Sequence, residues 1–196
     1  MNKTIEFYDE FLDGYFCNFN SIVARYVKEK SNKTKLIDAA RCLVATKKKD
    51  SKILLIGNGG SAAIAEHMSI DLTKNAGLRA ITISSSPAIT TFANDYGYDR
   101  VFQKGVEHYG CKDDVLVAIS SSGVSKNILN ACEEALRKQM AVITFSGFEQ
   151  NNPLCTMGDI NFWIDAKAFG YVEIIHNLLL HCINDMIVGK TEYKII

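Results

Sequence analysis

Histidine and carboxylate side chains stand at helical spacing in two stretches of the chain, near residue 70 and near residue 175. His67 and Asp71 are four residues apart, Glu173 and His176 are three apart, and His181 follows farther along. Spacings of three or four put two side chains on the same face of a helix. Two such helices could hold a divalent metal such as zinc, or supply a general base and a general acid. Histidines that only pack within an apolar helix are the third interpretation that the spacing leaves open.

A second candidate site is a serine-rich segment between a short apolar run and a helical pattern. It reads Ser120-Ser121-Ser122-Gly123-Val124-Ser125. Its four hydroxyls and the free backbone N–H groups at the start of a helix are typical of a phosphate cradle. A serine-rich turn that only caps the helix is the alternative. No P-loop lysine follows, so we do not expect a nucleotide triphosphatase.

A glycine-rich turn follows the first apolar run of the α/β pattern and reads Gly57-Asn58-Gly59-Gly60-Ser61. With Ala62 it matches the dinucleotide fingerprint G-x-G-x-x-A, which is a weak signal alone. A dinucleotide site also needs an acidic residue after the second strand, where this chain has serines 84–86. The turn therefore favours a small anionic ligand that contacts backbone N–H groups and the Ser61 hydroxyl.

Short apolar runs alternate with helical patterns from residue 51 onward. This alternation predicts an α/β fold, a three-layer sandwich whose parallel sheet is covered by helices on both faces. Ligands of such sheets bind beyond the carboxyl ends of the strands, where both loops would lie. The expected strands are 53–56, 79–84, 114–119, 141–145 and 161–164, and the expected helices are 61–74, 87–93, 99–109, 125–138 and 171–188.

The first 50 residues predict two helices ahead of the α/β pattern. Spacings of four and three place one stripe on the first helix: Tyr8, Leu12, Tyr15, Phe19, Ile22 and Tyr26. One helix cannot bury so broad an apolar face alone, so the stripe packs either on its own domain or on another subunit. Ser31 is the expected N-cap of the second helix, which continues to residues 47–50.

Composition restricts the class of protein. The 196 residues carry 22 basic and 22 acidic side chains, so the formal net charge is zero, which argues against nucleic-acid binding. No apolar run is long enough to span a membrane, and no signal peptide is expected at the start. Six cysteines without a CxxC pair predict buried free thiols rather than disulfides. We therefore expect a soluble, cytoplasmic protein.

Taken in order, these segments resemble the sugar isomerase (SIS) domain of the phosphoheptose isomerase group. The resemblance rests on Gly57 to Ser61, His67, Asn94-Asp95-Tyr96-Gly97, Ile119 to Ser125, Phe169-Gly170-Tyr171, Glu173 to His176, and His181. It implies one SIS domain over residues 1–196 with five parallel strands, a flavodoxin-like arrangement. Residues 1–50 would be a helical extension for oligomerisation and residues 51–196 the α/β core. The resemblance also implies a homotetramer with active sites between subunits.

The same resemblance implies a reaction and its residues. The reaction is the isomerisation of sedoheptulose 7-phosphate to D-glycero-D-manno-heptose 7-phosphate through an enediol, which supplies heptose for bacterial surface glycans. Asp71 would be the base, His181 the acid, and zinc the probable metal, one per subunit. The implied metal ligands are His67, Asp71, Glu173 and His181. The implied substrate contacts are Asn58, Gly59, Gly60, Ser61, Asp71, Asn94, Asp95, Ser120, Ser121, Ser122, Ser125 and Glu173.

Three positions depart from the pattern of the family. The family carries glutamate where this chain has Asp71, glutamine where it has Glu173, and arginine where it has Asn75. The shorter Asp71 sets its carboxylate back by about 1 Å, a displacement that can cost on the order of 100-fold in rate. The alternative function is a non-catalytic SIS protein that binds a phosphosugar or the replication initiator. A DNA-binding regulator is not expected, because no helix-turn-helix precedes the core.

Overall fold

The computed structural model describes residues 4–192, which form an α/β fold around a five-stranded sheet. All strand pairs are parallel, in the order β2-β1-β3-β4-β5. The strands are β1 (Ile53–Gly57), β2 (Ala80–Thr82), β3 (Val115–Ser120), β4 (Ala141–Ser146) and β5 (Ile160–Trp163). The helices are α1 (Ile5–Lys28), α2 (Lys30–Lys48), α3 (Gly60–Lys74), α4 (Ser86–Tyr96), α5 (Val101–Tyr109), α6 (Lys126–Arg137) and α7 (Phe169–Val188), with short 3-10 turns at Tyr98–Arg100 and Pro153–Thr156.

Helices cover both faces of the sheet, which confirms the predicted three-layer sandwich. Side chains alternate along β1, so that Ile53 and Leu55 belong to one apolar cluster while Leu54 and Ile56 belong to the other. The first cluster is completed by α2, α3, α7 and the end of α1, and the second by α4, α5 and α6. Because both faces are buried, the strands read as continuous apolar runs instead of alternating ones.

The strand order puts two loops side by side. From β1 the chain moves to β2 on one side of the sheet and then returns to β3 on the other side. Gly57 at the end of β1 is paired with Ile119 near the end of β3. Such a point, where the direction of winding reverses, opens a crevice beyond the carboxyl ends of two neighbouring strands. The glycine-rich turn and the serine-rich segment leave the sheet at this crevice.

The local predictions need several corrections. Ser31 is not the N-cap of α2, because that helix already begins at Lys30 after the single extended residue Glu29. The second strand is shorter than expected and ends at Thr82. The cysteines are unpaired as predicted, but only Cys132 is buried, whereas the thiols of three others lie on outward helix or loop positions and are exposed: Cys17, Cys111 and Cys182.

From its middle onward α1 packs on the domain, beginning with Tyr15, whose ring centroid lies 4.6 Å from that of Tyr171 in α7. Ile22 and Tyr26 are buried, and Phe19 and Val23 are partly buried against the same cluster. Toward its start the helix projects its apolar side chains into solvent, with exposed fractions between 40% and 59% for Phe7, Tyr8, Phe11, Leu12 and Phe16. Packing on its own domain therefore accounts for the later part of the stripe, and the earlier part is left exposed. None of the helices within residues 4–192 is long and apolar enough to cross a membrane.

Candidate active site

The glycine-rich turn brings the start of α3 to the crevice. Gly57 must lack a side chain, because a Cβ there would lie 2.5 Å from the backbone of Ser61. Gly59 adopts a positive φ of 53° and caps α3, and the N–H of Ser61 donates to the carbonyl oxygen of Asn58 at 3.0 Å. The first N–H groups of a helix have no intrahelical acceptor and attract anions. Asn58 stands at this turn, half-buried, and Gly60 is exposed.

The serine-rich segment forms a second turn beside it. The Ser120 hydroxyl donates to the Ser125 hydroxyl at 3.3 Å, and the Ser122 hydroxyl accepts from the N–H of Val124 at 3.4 Å. Ser121 is buried, and its hydroxyl has no hydrogen-bond partner among residues 4–192. Ser125 precedes α6 without capping it through its side chain. The hydrogen bonds of Ser120, Ser122 and Ser125 are long ones that an anionic oxygen could replace.

Asn58 joins the two turns through Asn127 and Tyr98, neither of which the sequence predicted to be part of the site. Asn58 and Asn127, in the first turn of α6, form two reciprocal amide hydrogen bonds of 2.9 and 3.0 Å. The Tyr98 hydroxyl donates to Asn58 Oδ1 at 2.9 Å. Asn127 falls within one turn of the predicted phosphate segment, which is a signal in the sequence. Tyr98 follows the Asn94-Asp95-Tyr96-Gly97 motif, but nothing in the sequence indicates its contact with Asn58.

The histidine and carboxylate side chains of α3 and α7 meet in one cluster. Nε2 of His67 lies 3.5 Å from Oδ2 of Asp71, and Nδ1 of His181 lies 3.6 Å from the same oxygen. The two imidazole rings stand edge to face with centroids 5.0 Å apart. Asp71 is the least exposed of the three side chains, at 20%, and His67 the most exposed, at 55%. The cluster is therefore open to solvent on one side and assembled within a single chain.

Two distances in this cluster fit a zinc site. The donor atoms of His67, Asp71 and His181 all lie within 4.8 Å of one another. Ligand atoms around a tetrahedral zinc ion at about 2.0–2.2 Å are roughly 3.3–3.6 Å apart. The two nitrogen–oxygen distances of 3.5 and 3.6 Å match that separation. Two imidazoles and one carboxylate are also a ligand set that zinc accepts.

Glu173 lies apart from the cluster in this structure. It does not belong to the group of donor atoms formed by His67, Asp71 and His181, which is the grouping found within residues 4–192. Its carboxylate instead occupies the space that a side chain on Gly60 would fill. Glu173 and His67 line a cavity of about 270 Å³ between α3 and α7, together with Gly60 and Asn177. This cavity connects the cluster with the glycine-rich turn.

Asn94 and Asp95 lie at the exposed end of α4. The Asn94 amide donates to the Asp95 carboxylate at 2.9 Å. Both precede Tyr98, whose hydroxyl reaches Asn58. The pair therefore lies on the α4 side of the glycine-rich turn, on a segment attached to that turn through Tyr98.

His176 has a structural environment. It is fully buried in α7, and its Nε2 lies 3.0 Å from the carbonyl oxygen of Ser146. Burial lowers the pKa of His176 to about 4, because the imidazolium form would lose its hydration. The imidazole is therefore neutral at physiological pH. The structural interpretation of a histidine on an apolar helix applies to His176 and not to His181.

Comparisons with known proteins agree with this architecture. The SIS domain family matches residues 14–147, well over half of the chain. A phosphoheptose isomerase from Helicobacter pylori is 35% identical over 165 residues, which cover 81% of this chain and 85% of that protein. One from Buchnera aphidicola is 35% identical over 179 residues, which cover 84% of this chain and 92% of that protein.

Solved structures show the same relationship. The phosphoheptose isomerase from Neisseria gonorrhoeae superposes with a TM-score of 0.84 at 31% identity, covering 92% of this chain and 98% of that one. The enzyme from Francisella tularensis superposes with a TM-score of 0.85 at 30% identity and the same coverage. Sequence and fold therefore agree along nearly the whole chain: it belongs to the SIS domain family and, within that family, to the phosphoheptose isomerases.

Proposed function

We propose that the protein isomerises sedoheptulose 7-phosphate to D-glycero-D-manno-heptose 7-phosphate, for the synthesis of bacterial surface heptose. The observation that carries the proposal is the contact between Asp71 on α3 and His181 on α7, at 3.6 Å. A carboxylate and an imidazole within one site can serve as base and acid of an aldose–ketose isomerisation. The relatives named phosphoheptose isomerase support this substrate class.

The phosphate group binds at the serine-rich segment in this proposal. Ser120, Ser121, Ser122 and Ser125 directly precede the start of α6, whose N–H groups favour negative charge. The start of α3, with Asn58, Gly59, Gly60 and Ser61, faces the same crevice. Along α3, His67 follows Gly60 by two helical turns, about 10 Å. An extended seven-carbon sugar phosphate can bridge such a distance, so phosphate binding positions the carbon atoms that react.

Asp71 acts as the base. Its Oδ2 faces both histidines, whereas its Oδ1 has no partner among the described side chains. Oδ1 removes the proton from carbon 1 of the ketose while His181 Nε2–H protonates the oxygen on carbon 2, giving an enediol. His181 then takes the proton from the oxygen on carbon 1, and Asp71 returns its proton to carbon 2. Both groups end in their starting protonation states, so the transfer balances.

His67, Asp71 and His181 would hold a zinc ion, with Glu173 as the further ligand that the family resemblance implies. A bound zinc ion supplies Lewis acidity, which polarises a carbonyl oxygen. Metal content can be measured without reference to catalysis. We expect about one zinc per subunit by elemental analysis, loss of that zinc in His67→Ala, and retention in the control His108→Ala. Wild-type protein that binds no zinc at micromolar concentration would contradict the assignment.

We further propose that the protein is a cytoplasmic homotetramer. The exposed apolar half of α1 supports an interface between copies of the chain, because solvent contact with several aromatic side chains is unfavourable. The phosphosugar and further copies of this chain are then its partners. Nucleic acid is not among them, in keeping with the neutral net charge.

The decisive experiment is an isomerase assay with purified protein. Sedoheptulose 7-phosphate is supplied with and without zinc, and the aldose product is followed by NMR spectroscopy. Turnover that decreases after chelation and returns with zinc is the expected result. Binding of sedoheptulose 7-phosphate and other ketose phosphates without any turnover would refute the enzyme and favour the non-catalytic alternative. A pull-down with the replication initiator would then test that alternative.

A further inference from the structure

The amide of Asn58 is oriented by two neighbours from different elements. Asn127, which is buried in the first turn of α6, exchanges two hydrogen bonds with it. Tyr98, in the 3-10 turn after α4, adds a third through its hydroxyl at 2.9 Å. Three segments of the chain therefore converge on one side chain at the carboxyl edge of β1.

These contacts restrict what Asn58 can offer to a ligand. A carboxamide oxygen has two lone pairs, and a carboxamide nitrogen has two hydrogens. Oδ1 of Asn58 accepts from both Tyr98 and Asn127, so its acceptor capacity is fully used. Nδ2 donates one hydrogen to Asn127, and its second hydrogen has no acceptor within residues 4–192. The Asn58 side chain can thus offer a ligand only a hydrogen-bond donor.

We propose that Tyr98 is a positioning residue that fixes the Asn58 amide so that its free N–H donates to an acceptor oxygen of the bound sugar phosphate. This inference rests on the proposed function of the crevice. The oxygen belongs to a phosphate or carbonyl group, both of which accept without needing to donate. Removal of the Tyr98 hydroxyl frees one lone pair of Oδ1, which allows the amide to turn and to present an acceptor instead.

The backbone of Tyr98 is held independently of its hydroxyl. The neighbouring carbonyl of Asp99 accepts from the Asn130 amide of α6 at 2.8 Å. The Tyr98 side chain is also 55% exposed, so its hydroxyl is not part of the packed interior. Tyr98→Phe therefore keeps the segment docked on α6 and removes only the hydrogen bond to Asn58.

The test compares Tyr98→Phe with wild type for sedoheptulose 7-phosphate, measuring KM by the isomerase assay and Kd by calorimetry. One hydrogen bond contributes about 0.5–1.5 kcal/mol, so we expect both constants to rise about 3- to 10-fold at an unchanged melting temperature. Tyr96→Phe is the matched control, because Tyr96 ends α4 nearby and its hydroxyl has no hydrogen-bond partner among the described residues. Its constants should equal those of wild type.

A double-mutant cycle distinguishes positioning from a structural role. If Tyr98 acts through Asn58, Tyr98→Phe changes neither constant by more than about 2-fold in an Asn58→Ala background, because the coupled group is gone. An equal effect in both backgrounds, or no effect in wild type, overturns the inference. If the wild type binds sedoheptulose 7-phosphate but does not convert it, only the proposed isomerase activity is refuted, because the comparison of Kd values still tests the role of Tyr98. Absence of wild-type binding refutes both proposals.

Discussion

Asp71 is the side chain on which the candidate site depends. The family resemblance implies a longer glutamate here, and in this chain the aspartate lies 3.5 and 3.6 Å from the two histidines. One partner lies a single turn away on the same helix, which the spacing of four residues ensures. The other comes from α7, which packs against α3 on the same face of the sheet. The shorter aspartate side chain therefore still contacts both imidazoles.

Replacement of Asp71 by asparagine tests its role as base. The amide is nearly isosteric but cannot accept a proton from carbon, so we expect turnover of sedoheptulose 7-phosphate to fall by about 100- to 10,000-fold. Affinity for the sugar phosphate should stay within a few-fold of wild type, because the serine-rich segment is untouched. Glu66→Gln, an exposed position on the same helix, is the control with full activity. Full activity of Asp71→Asn would remove Asp71 from catalysis.

At the scale of the elements, the loop after β4 packs against the serine-rich segment and forms a hydrogen bond with it. The N–H of Gly147 donates to the carbonyl oxygen of Ser121 at 2.9 Å. Asn152 is buried and donates to the carbonyl oxygens of Gly147 and Glu149 at 3.1 and 2.7 Å. A side chain on Gly123 would overlap that of Asn152. The turn that is proposed to bind phosphate therefore depends on a close approach of two loops.

Gly123→Ala should disturb this turn. Gly123 has a φ of +68°, a region that costs an alanine about 1–2 kcal/mol, and the new Cβ would also displace Asn152. We expect the free energy of unfolding to fall by at least about 2 kcal/mol, and affinity for inorganic phosphate to weaken at least 10-fold by calorimetry. The control is Gly14→Ala in α1, where a Cβ meets no atom within 4 Å. Undiminished phosphate affinity in Gly123→Ala would contradict the proposed cradle.

The buried imidazole of α7 makes stability depend on pH. Burial lowers the pKa of His176 from 6.5 to about 4, so the unfolded chain binds this proton at a higher pH than the folded chain does. The contribution of the neutral His176 imidazole to the free energy of unfolding is complete above about pH 6.5 and is lost as the pH falls toward 4. The loss is about 3 kcal/mol, at 1.4 kcal/mol per pKa unit.

His176→Gln isolates that contribution, since the glutamine amide can donate to the Ser146 carbonyl oxygen but does not titrate. Urea unfolding at several pH values between 7 and 4 should show a shallower loss of stability in His176→Gln than in wild type. Because other groups titrate equally in both proteins, the difference between the two slopes reports on His176. The exposed His108→Gln control should follow wild type, and identical slopes for His176→Gln would disprove the assignment.

At the scale of the whole molecule, the first half of α1 leaves a row of apolar side chains exposed. Phe11 and Phe16 are 58% and 59% exposed although both belong to one broad apolar face. In a single copy of the described fold both rings stay exposed, and α1 contacts its own domain through its last turns and through Tyr15, which packs on Tyr171 of α7. Association with further copies of the chain would remove these rings from water.

Phe11→Asp should weaken that association. A charge at the centre of the aromatic face must be desolvated on assembly, so the proposed tetramer should dissociate into smaller species in Phe11→Asp. Light scattering at micromolar concentration measures the mass of the variant and of wild type. Leu136→Asp is the control, because Leu136 is an exposed apolar residue at 44% on α6, away from α1. An unchanged mass for Phe11→Asp would show that this face is not the interface.

Much of this architecture could be predicted because its signals are local. Buried parallel strands read as apolar runs, and helices repeat with a period of 3.6 residues. The positions of both candidate ligand-binding loops follow from glycine and serine at strand ends. The pairing of His67 with Asp71 follows from their spacing within one helix. Helix ends were less predictable, as Ser31 illustrates, because a single extended residue can separate two helices.

Contacts between elements were decided by the tertiary structure. How α7 lies against α3 depends on how both helices pack on the sheet, which no spacing within α7 encodes. That packing brings His181 to Asp71, turns Glu173 toward Gly60, and buries His176. The hydrogen bond from Tyr98 to Asn58 likewise depends on how the 3-10 turn after α4 packs against α6. Residue types and periods are properties of the chain, whereas the meeting of distant side chains is a property of the packed fold.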